Sequence, residues 1–322
     1  MTGPLPLVIE PDPQRGCYGG VDGVVAWLAD HHAVLDARLL AHGAVLLRGF
    51  DVRCKDDFAR VARTVMPTLS AYTGGNSPRT DLGDHIYTST EYPPQLDLPL
   101  HNELACSNRW PATLMFFCRI APVEGGQTPL VDGRRLLRTL PASLRRMFER
   151  ERITYCRKLR TRHHPGPGKP WQVAFETDDR REVEAVCARS GASVEWSADG
   201  SLRTRVCRQA VIAHPRTGEL TWFNQVVLFH PSSVPAVARR FSPEDPRDSH
   251  LYCCFEDGTP IDDAIVDELR SHIARCESAT PWQQGDVLVI DNLLVAHGRR
   301  AFRGPREILL AMAGDAAGGV NA

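Results

Sequence analysis

The sequence predicts a mainly β chain, an antiparallel sandwich or barrel with helices packed around it. Three observations carry this. Beyond residue 67 the apolar segments are short, rich in β-branched and aromatic residues, and bounded by Gly, Pro or Asn. They do not alternate with helices as a parallel βαβ sheet requires. The 322 residues, 43% hydrophobic and 24% charged, have the composition of an ordinary globular protein. No internal repeat or low-complexity linker divides them, so residues 1–322 read as one domain with helical decorations.

The elements follow in order. Residues 22–42 read as one amphipathic helix: Val24, Val25, Leu28, Leu35 and Leu39 recur at helical spacing, and Gly43 stops it. A strand at Ala44–Leu47 precedes a helix from Asp56 to about Met66. Strands are expected at His85–Thr90, Leu98–Glu103, Thr113–Ile120, Thr128–Val131, Ile153–Leu159, Leu220–Leu228, Asp286–Ile290 and Arg306–Met312. Helices interrupt them near 134–150, 178–190 and 262–277. Residues 162–171 (RHHPGPGKPW) are too rich in Pro and Gly for regular structure and read as an exposed loop.

Charge and composition exclude several functions. Lys+Arg is 38 and Asp+Glu 39, a net charge of −1, so nothing global attracts nucleic acid or an anionic membrane. No apolar run nears the ~20 residues that span a bilayer. The first residues, MTGPLPLVIEPDPQRG, lack a basic stretch followed by an apolar one, so a cytoplasmic protein is expected. The ten cysteines lie scattered without a C-x-x-C and read as buried thiols. There is no G-x-S-x-G elbow, phosphate-binding G-x-x-x-x-G-K-[ST] loop, strand-linked G-x-G-x-x-G or H-E-x-x-H. The pairs His31–His32 and His163–His164 have no second ligand set nearby and read as solvated.

His101-Asn102-Glu103 is different. On a strand, residues i and i+2 share a face, so this imidazole and carboxylate can converge on one ion. Far downstream, the apolar run from Gly285 to Asn292 leads into a turn and presents His297. Two His and one carboxylate from separate strands make a facial triad, which leaves open positions on Fe(II) for oxygen chemistry.

In chain order, Gly43–Phe50 (GAVLLRGF), Ser77–Arg79 (SPR), Tyr87–Glu91 (YTSTE), Leu100–Glu103 (LHNE), Glu124–Thr128 (EGGQT), His214–Glu219 (HPRTGE) with Trp222–Gln225 (WFNQ), and Gly285–Met312 resemble one family. It is the taurine-dioxygenase-like family of Fe(II)/2-oxoglutarate dioxygenases, in the branch similar to the aspartyl hydroxylase of syringomycin biosynthesis. The resemblance covers roughly residues 40–313. It implies a double-stranded β-helix (jelly-roll) core, with His101, Glu103 and His297 as catalytic Fe(II) ligands and 2-oxoglutarate and O₂ as cosubstrates. It assigns the distal carboxylate of 2-oxoglutarate to Arg306, with the Thr128 hydroxyl adding a hydrogen bond. Arg299, Arg300 and Arg303 are near enough in sequence to compete for that role. By collinearity the loop 72–80 lies over the iron, which makes Tyr72, Asn76, Ser77 and Arg79 candidate substrate contacts. Asn224 is a further candidate, although residues 222–225 suit a core strand equally well.

Two departures bear on substrate. Glu103 stands where much of the wider family has Asp, although Glu is usual in this branch. Leu310 replaces the arginine that holds the sulfonate in taurine oxidation, which argues against taurine. The expected partner is a small molecule, an amino acid or an amino-acid-derived intermediate of specialised metabolism, free or tethered to a carrier protein. Hydroxylation is the expected reaction, with epoxidation or desaturation as variants. A zinc hydrolase on the same ligands would need a general base that the sequence does not offer, and a non-catalytic β-barrel binding protein would leave the triad and Arg306 unexplained.

Overall fold

The structure is a computed structural model and describes residues 5–12, 20–72, 79–166, 168–240 and 242–317. Its central sheet has six strands in the order β1 (Leu7–Ile9), β2 (Ala44–Leu47), β14 (Val287–Asp291), β5 (Arg109–Ile120), β17 (Glu307–Ala317), β3 (Tyr87–Thr88). Only the β1–β2 pair is parallel.

Both faces of this sheet are buried, and the pleat assigns alternate side chains to each. Val45, Leu47, Met115, Phe117, Val289 and Leu309 face helices α1 (Gly20–Asp30), α2 (His32–His42) and α3 (Lys55–Val65). Leu46, Leu114, Phe116, Leu288, Ile290 and Leu310 face the other way, onto a core shared with Leu130 and Val295. The last two belong to a second sheet of three strands, β4 (Leu98–His101), β15 (Val295–Arg299) and β7 (Leu130–Asp132). Two antiparallel-rich sheets stacked on one apolar core form the expected jelly-roll. Burial on both sides explains why the strands read as continuous runs such as VLVI rather than alternating ones. Each such side chain contributes roughly 1.5–3 kcal/mol.

Outside this core, β13 (Leu251–Phe255), β8 (Arg152–Leu159), β10 (Leu202–Gln209) and β9 (Ser193–Trp196) form a four-stranded antiparallel sheet. Two short antiparallel pairs add to the β structure, the hairpin of β11 (Val211–Ala213) with β12 (Leu220–Trp222) and the long-range pair of β6 (Glu124–Gly125) with β16 (Phe302–Arg303). The remaining helices are α4 (Gly133–Thr139), α5 (Ala142–Arg150), α6 (Trp171–Phe175), α7 (Arg180–Arg189), α8 (Val226–Phe229), α9 (Ala236–Arg239) and α10 (Asp263–Cys276). No described helix is long and apolar enough to cross a membrane. The nine described cysteines are free and, apart from the exposed Cys54, buried or half-buried; Cys17 lies outside the described residues.

Several boundaries differ from expectation. The helix over 22–42 is two helices, because His31 leaves the helical conformation, bonds through Nδ1 to Trp27 O at 2.9 Å and stacks on the Trp27 ring. Its stop at Gly43 stands, with φ at 77°. The helix over 134–150 is split by Pro141, which forces Leu140 into an extended conformation. Leu220–Leu228 is a strand only to Trp222, since Asn224 Oδ1 accepts from Val226 N–H and turns the chain into α8. The strand expected over Leu98–Glu103 ends at His101.

Candidate metal and cosubstrate site

The small sheet sets the first two ligands. His101 ends β4 and is the direct cross-strand partner of His297 on β15, with ring centroids 4.7 Å apart. They come from neighbouring strands of one sheet, not from opposite walls of the barrel. Glu103 arrives by a route the sequence did not indicate. The chain leaves β4 into a turn in which Leu104 takes φ 55°, and that turn, not the strand pleat, swings Glu103 back. Asn292 pins it there. Its Oδ1 accepts from Glu103 N–H at 2.8 Å, and its Nδ2 donates to the carbonyls of Glu103 (3.0 Å) and Pro111 (2.8 Å).

The ligand atoms of His101, Glu103 and His297 lie within 4.8 Å of one another. All three residues are 3–4% exposed. Burial holds both imidazoles below the ordinary His range. Glu103 partly opposes this at His101, while His101 and Arg79 reinforce it at His297. Both rings are therefore neutral near pH 7 and present lone pairs. His101 Nδ1 sits 2.8 Å from Pro99 O; a carbonyl only accepts, so the proton is on Nδ1 and Nε2 faces the site. His297 Nε2 is 3.9 Å from Glu103 Oε2, too far for a hydrogen bond but close enough to share a cation. Two neutral imidazoles and a carboxylate, buried and convergent, fit Fe(II).

Above the triad, Arg79 Nη2 donates to Glu103 Oε2 at 2.7 Å, with both side chains 4% exposed. Its Nη1 donates to the Ser89 carbonyl, and its guanidinium lies 4.6 Å from the Tyr72 ring centroid. The loop expected over the metal thus places its two described ends, Tyr72 and Arg79, at the site; Asn76 and Ser77 lie outside the described residues.

His101, His297, Phe116, Thr128 and Arg306 line one narrow pocket. Arg306 donates to Gly126 O (3.0 Å) and Ser89 Oγ (3.4 Å) and meets no carboxylate among the described residues. Burial, with Arg299 nearby, pushes its guanidinium down to about 10. Gly126 is required here. Its φ is 69°, and a Cβ would lie 3.1 Å from Arg306 Cδ and 2.7 Å from Pro122 Cγ. The neighbouring arginines are engaged elsewhere. Arg299 donates to the carbonyls of Tyr92, Pro93 and Leu96, Arg300 pairs with Asp97 and Glu277, and Arg303 reaches Glu124 at the surface.

Asn224 is not brought to this pocket. Its Nδ2 donates to Ala210 O and its backbone N–H to Asn102 Oδ1, while Gln225 Nε2 donates to Asn102 O. WFNQ therefore clamps the residue between two ligands instead of lining the cavity. Behind it His214 Nε2 meets Asp291 Oδ2 at 3.2 Å, and Asp291 Oδ1 accepts from the N–H groups of Leu293 and Leu294. Sequence reasoning missed these buried positioning groups; their only signal was a polar pair, Asp291-Asn292, ending an apolar strand.

Residues 10–312 match the family model described as taurine catabolism dioxygenase TauD, TfdA family. The dapdiamide synthesis protein DdaC of Enterobacter agglomerans is 32% identical over 284 residues, 88% of this chain and 85% of that one. A clavaminate synthase-like protein of Arabidopsis thaliana is 34% identical over 287 residues, 86% and 83% of the two chains. Among solved structures, PvcB from Pseudomonas aeruginosa aligns with a TM-score of 0.53 at 17% identity, covering 95% of this chain and 84% of its own. A taurine dioxygenase from Burkholderia xenovorans aligns with a TM-score of 0.51 at 15% identity, covering 88% and 80%. These two likenesses speak to the fold.

Proposed function

The chain belongs to the taurine catabolism dioxygenase family, TauD and TfdA, and on that footing we propose that it hydroxylates an unactivated C–H bond of an amino acid or amino-acid-derived natural-product intermediate. It is a 2-oxoglutarate-dependent dioxygenase that uses Fe(II), with 2-oxoglutarate and O₂ as cosubstrates. The bound metal and cosubstrate supply the oxygen-activating redox chemistry, in which 2-oxoglutarate ends as succinate and CO₂. The protein supplies geometry and electrostatics. In this reading His101, Glu103 and His297 would hold the metal. Arg306 takes the distal carboxylate of 2-oxoglutarate, with Thr128 beside it.

The observation that carries this is Arg306, a largely buried guanidinium without a carboxylate partner among the described residues, which lines the same pocket as the two imidazoles. A zinc hydrolase has no use for it. Halogenation is disfavoured, because Glu103 fills the position a halide would need. Leu310 is fully buried between the sheets, so it offers no cation for a sulfonate, which speaks against taurine. A natural-product role draws on the relatives: one is a dapdiamide synthesis protein, and PvcB is described as an Fe, alpha-ketoglutarate dependent oxygenase from an isonitrile synthetic pathway. We read residues 1–322 as one cytoplasmic catalytic domain.

The test is a screen of free amino acids and carrier-bound aminoacyl groups for substrate-dependent succinate release. The expected hit gains one oxygen atom from O₂ in step with succinate. Oxygen incorporated from water instead would point to hydrolytic chemistry and overturn the reading.

A further inference from the structure

Beyond Arg79 the narrow pocket gives way to a cavity of about 410 Å³. Among the described residues, Arg79 lines both spaces. Most charges on the cavity wall are already engaged. Arg79 is paired with Glu103, Glu91 accepts from the hydroxyls of Thr80 and Thr88, and Asp81 accepts from Gly83 N–H.

Two charges are not engaged. Lys169, just ahead of α6, forms no ion pair among the described residues; its nearest ring is Tyr72, 5.7 Å away. Burial, with repulsion from Arg79 and Arg157, pushes its ammonium down to about 8. Glu176, at the other end of α6, also has no ion pair or side-chain hydrogen bond among the described residues. Its backbone is left-handed, φ 55° and ψ 33°, where glycine would be unstrained. A cation half-removed from water and a non-glycine residue held in that conformation are both unfavourable in the isolated protein. They attract each other across the cavity, but form no direct ion pair. Both face the same cavity, at the end of the stretch 162–171 that reads from sequence as a mere surface loop.

We propose that this cavity receives the primary substrate as a free zwitterion, its carboxylate on Lys169 and its ammonium on Glu176. A carrier-bound aminoacyl thioester has no free α-carboxylate for Lys169 and is excluded. The inference rests on the Fe(II)/2-oxoglutarate reading of the adjoining site.

The experiment is an anaerobic titration of the enzyme with Fe(II) and 2-oxoglutarate, followed through its visible charge-transfer band. The probes are the protein amino acids, each as the free acid, the carboxamide and the N-acetyl derivative, together with carrier-bound aminoacyl thioesters. At least one free amino acid is expected to shift the band. Blocking either end should weaken that ligand about tenfold or more, the size of a lost charge-assisted hydrogen bond. Lys169→Met should weaken the free acid to the level of its carboxamide and leave the carboxamide itself unaffected. Glu176→Gln should do the same with respect to the N-acetyl form, and Lys169→Arg should retain binding. The proposal is overturned if no free amino acid shifts the band, if blocked derivatives bind as well as the free acid, or if only thioesters bind. Failure of the wild-type band to form would instead overturn the underlying reading, and this inference with it.

Discussion

Replacing Arg306 with Met should act in opposite directions with and without cosubstrate. Without 2-oxoglutarate the guanidinium is largely removed from water and faces no anion among the described residues, and burial lowers it from the ordinary arginine range to about 10. That fall corresponds to about 3 kcal/mol held against the charged form. A base held low in the folded state costs stability wherever it is charged, so the cost is present at all pH values below about 10 and fades above it. Met removes that cost. It also forgoes the donations to Gly126 O and Ser89 Oγ, worth about 1 kcal/mol each at most. The Arg306→Met protein should therefore melt no lower than wild type when cosubstrate is withheld. With 2-oxoglutarate the order reverses. Ligand at a hundred times its dissociation constant stabilises the wild type by about 2.7 kcal/mol. At ~2–4 °C per kcal/mol for chains of ~150–250 residues, that is a rise of several degrees. Removing one partner of a buried pair costs ~3–5 kcal/mol, so the variant should show no rise at the same concentration. Anaerobic thermal melts with Fe(II), with and without 2-oxoglutarate, measure both halves. An equal rise in the two proteins would refute the assignment of Arg306.

Thr128→Val keeps the shape and loses a hydroxyl, so the KM for 2-oxoglutarate should rise by the equivalent of about 1 kcal/mol, near fivefold; steady-state kinetics at saturating O₂ would show it. Arg79→Ala should uncouple turnover, releasing succinate in excess of oxidised product, because the side chain that lines both the narrow pocket and the outer cavity is gone; a ratio still near one removes Arg79 from substrate positioning. Asn292→Leu breaks the bonds that fix the Glu103 backbone and should weaken metal affinity about tenfold or more while both His ligands remain. Metal titration by calorimetry checks this, and wild-type affinity would show that the turn holds Glu103 unaided.

The strands that build the site were legible because burial on both faces made them unbroken apolar runs, as at Val287–Asp291 and Leu114–Cys118. Gly43 stopped the helix as its place in the sequence suggested, with φ at 77° and no room for a Cβ beside Val295. The strand reasoning for His101 and Glu103 named two residues that the fold does bring together, but through the wrong geometry, since i and i+2 share a face only while the strand lasts, and β4 ends at His101. What closes that gap is long-range hydrogen bonding from Asn292, nearly two hundred residues away, and no local pattern reports it. Asn224 misled for a related reason: a polar residue in an apolar run suits a cavity or a buried backbone clamp equally, and only the fold distinguishes them. Among the four arginines after His297, sequence supplied proximity, whereas partners supplied the choice. Arg300 and Arg303 pair with carboxylates and Arg299 donates from its Nη atoms to three carbonyls, whereas Arg306 makes one bond to a carbonyl and one to a hydroxyl at the pocket.

That His101, Glu103, His297 and Arg306 build one Fe(II)/2-oxoglutarate site is tested most directly by anaerobic absorbance of the purified protein. The wild type is expected to develop a visible charge-transfer band only when both Fe(II) and 2-oxoglutarate are added. His297→Ala should remain folded by circular dichroism and develop no band, since it removes one first ligand from an otherwise intact sheet. A band of wild-type intensity in His297→Ala, or a wild-type band that forms without 2-oxoglutarate, would contradict the account.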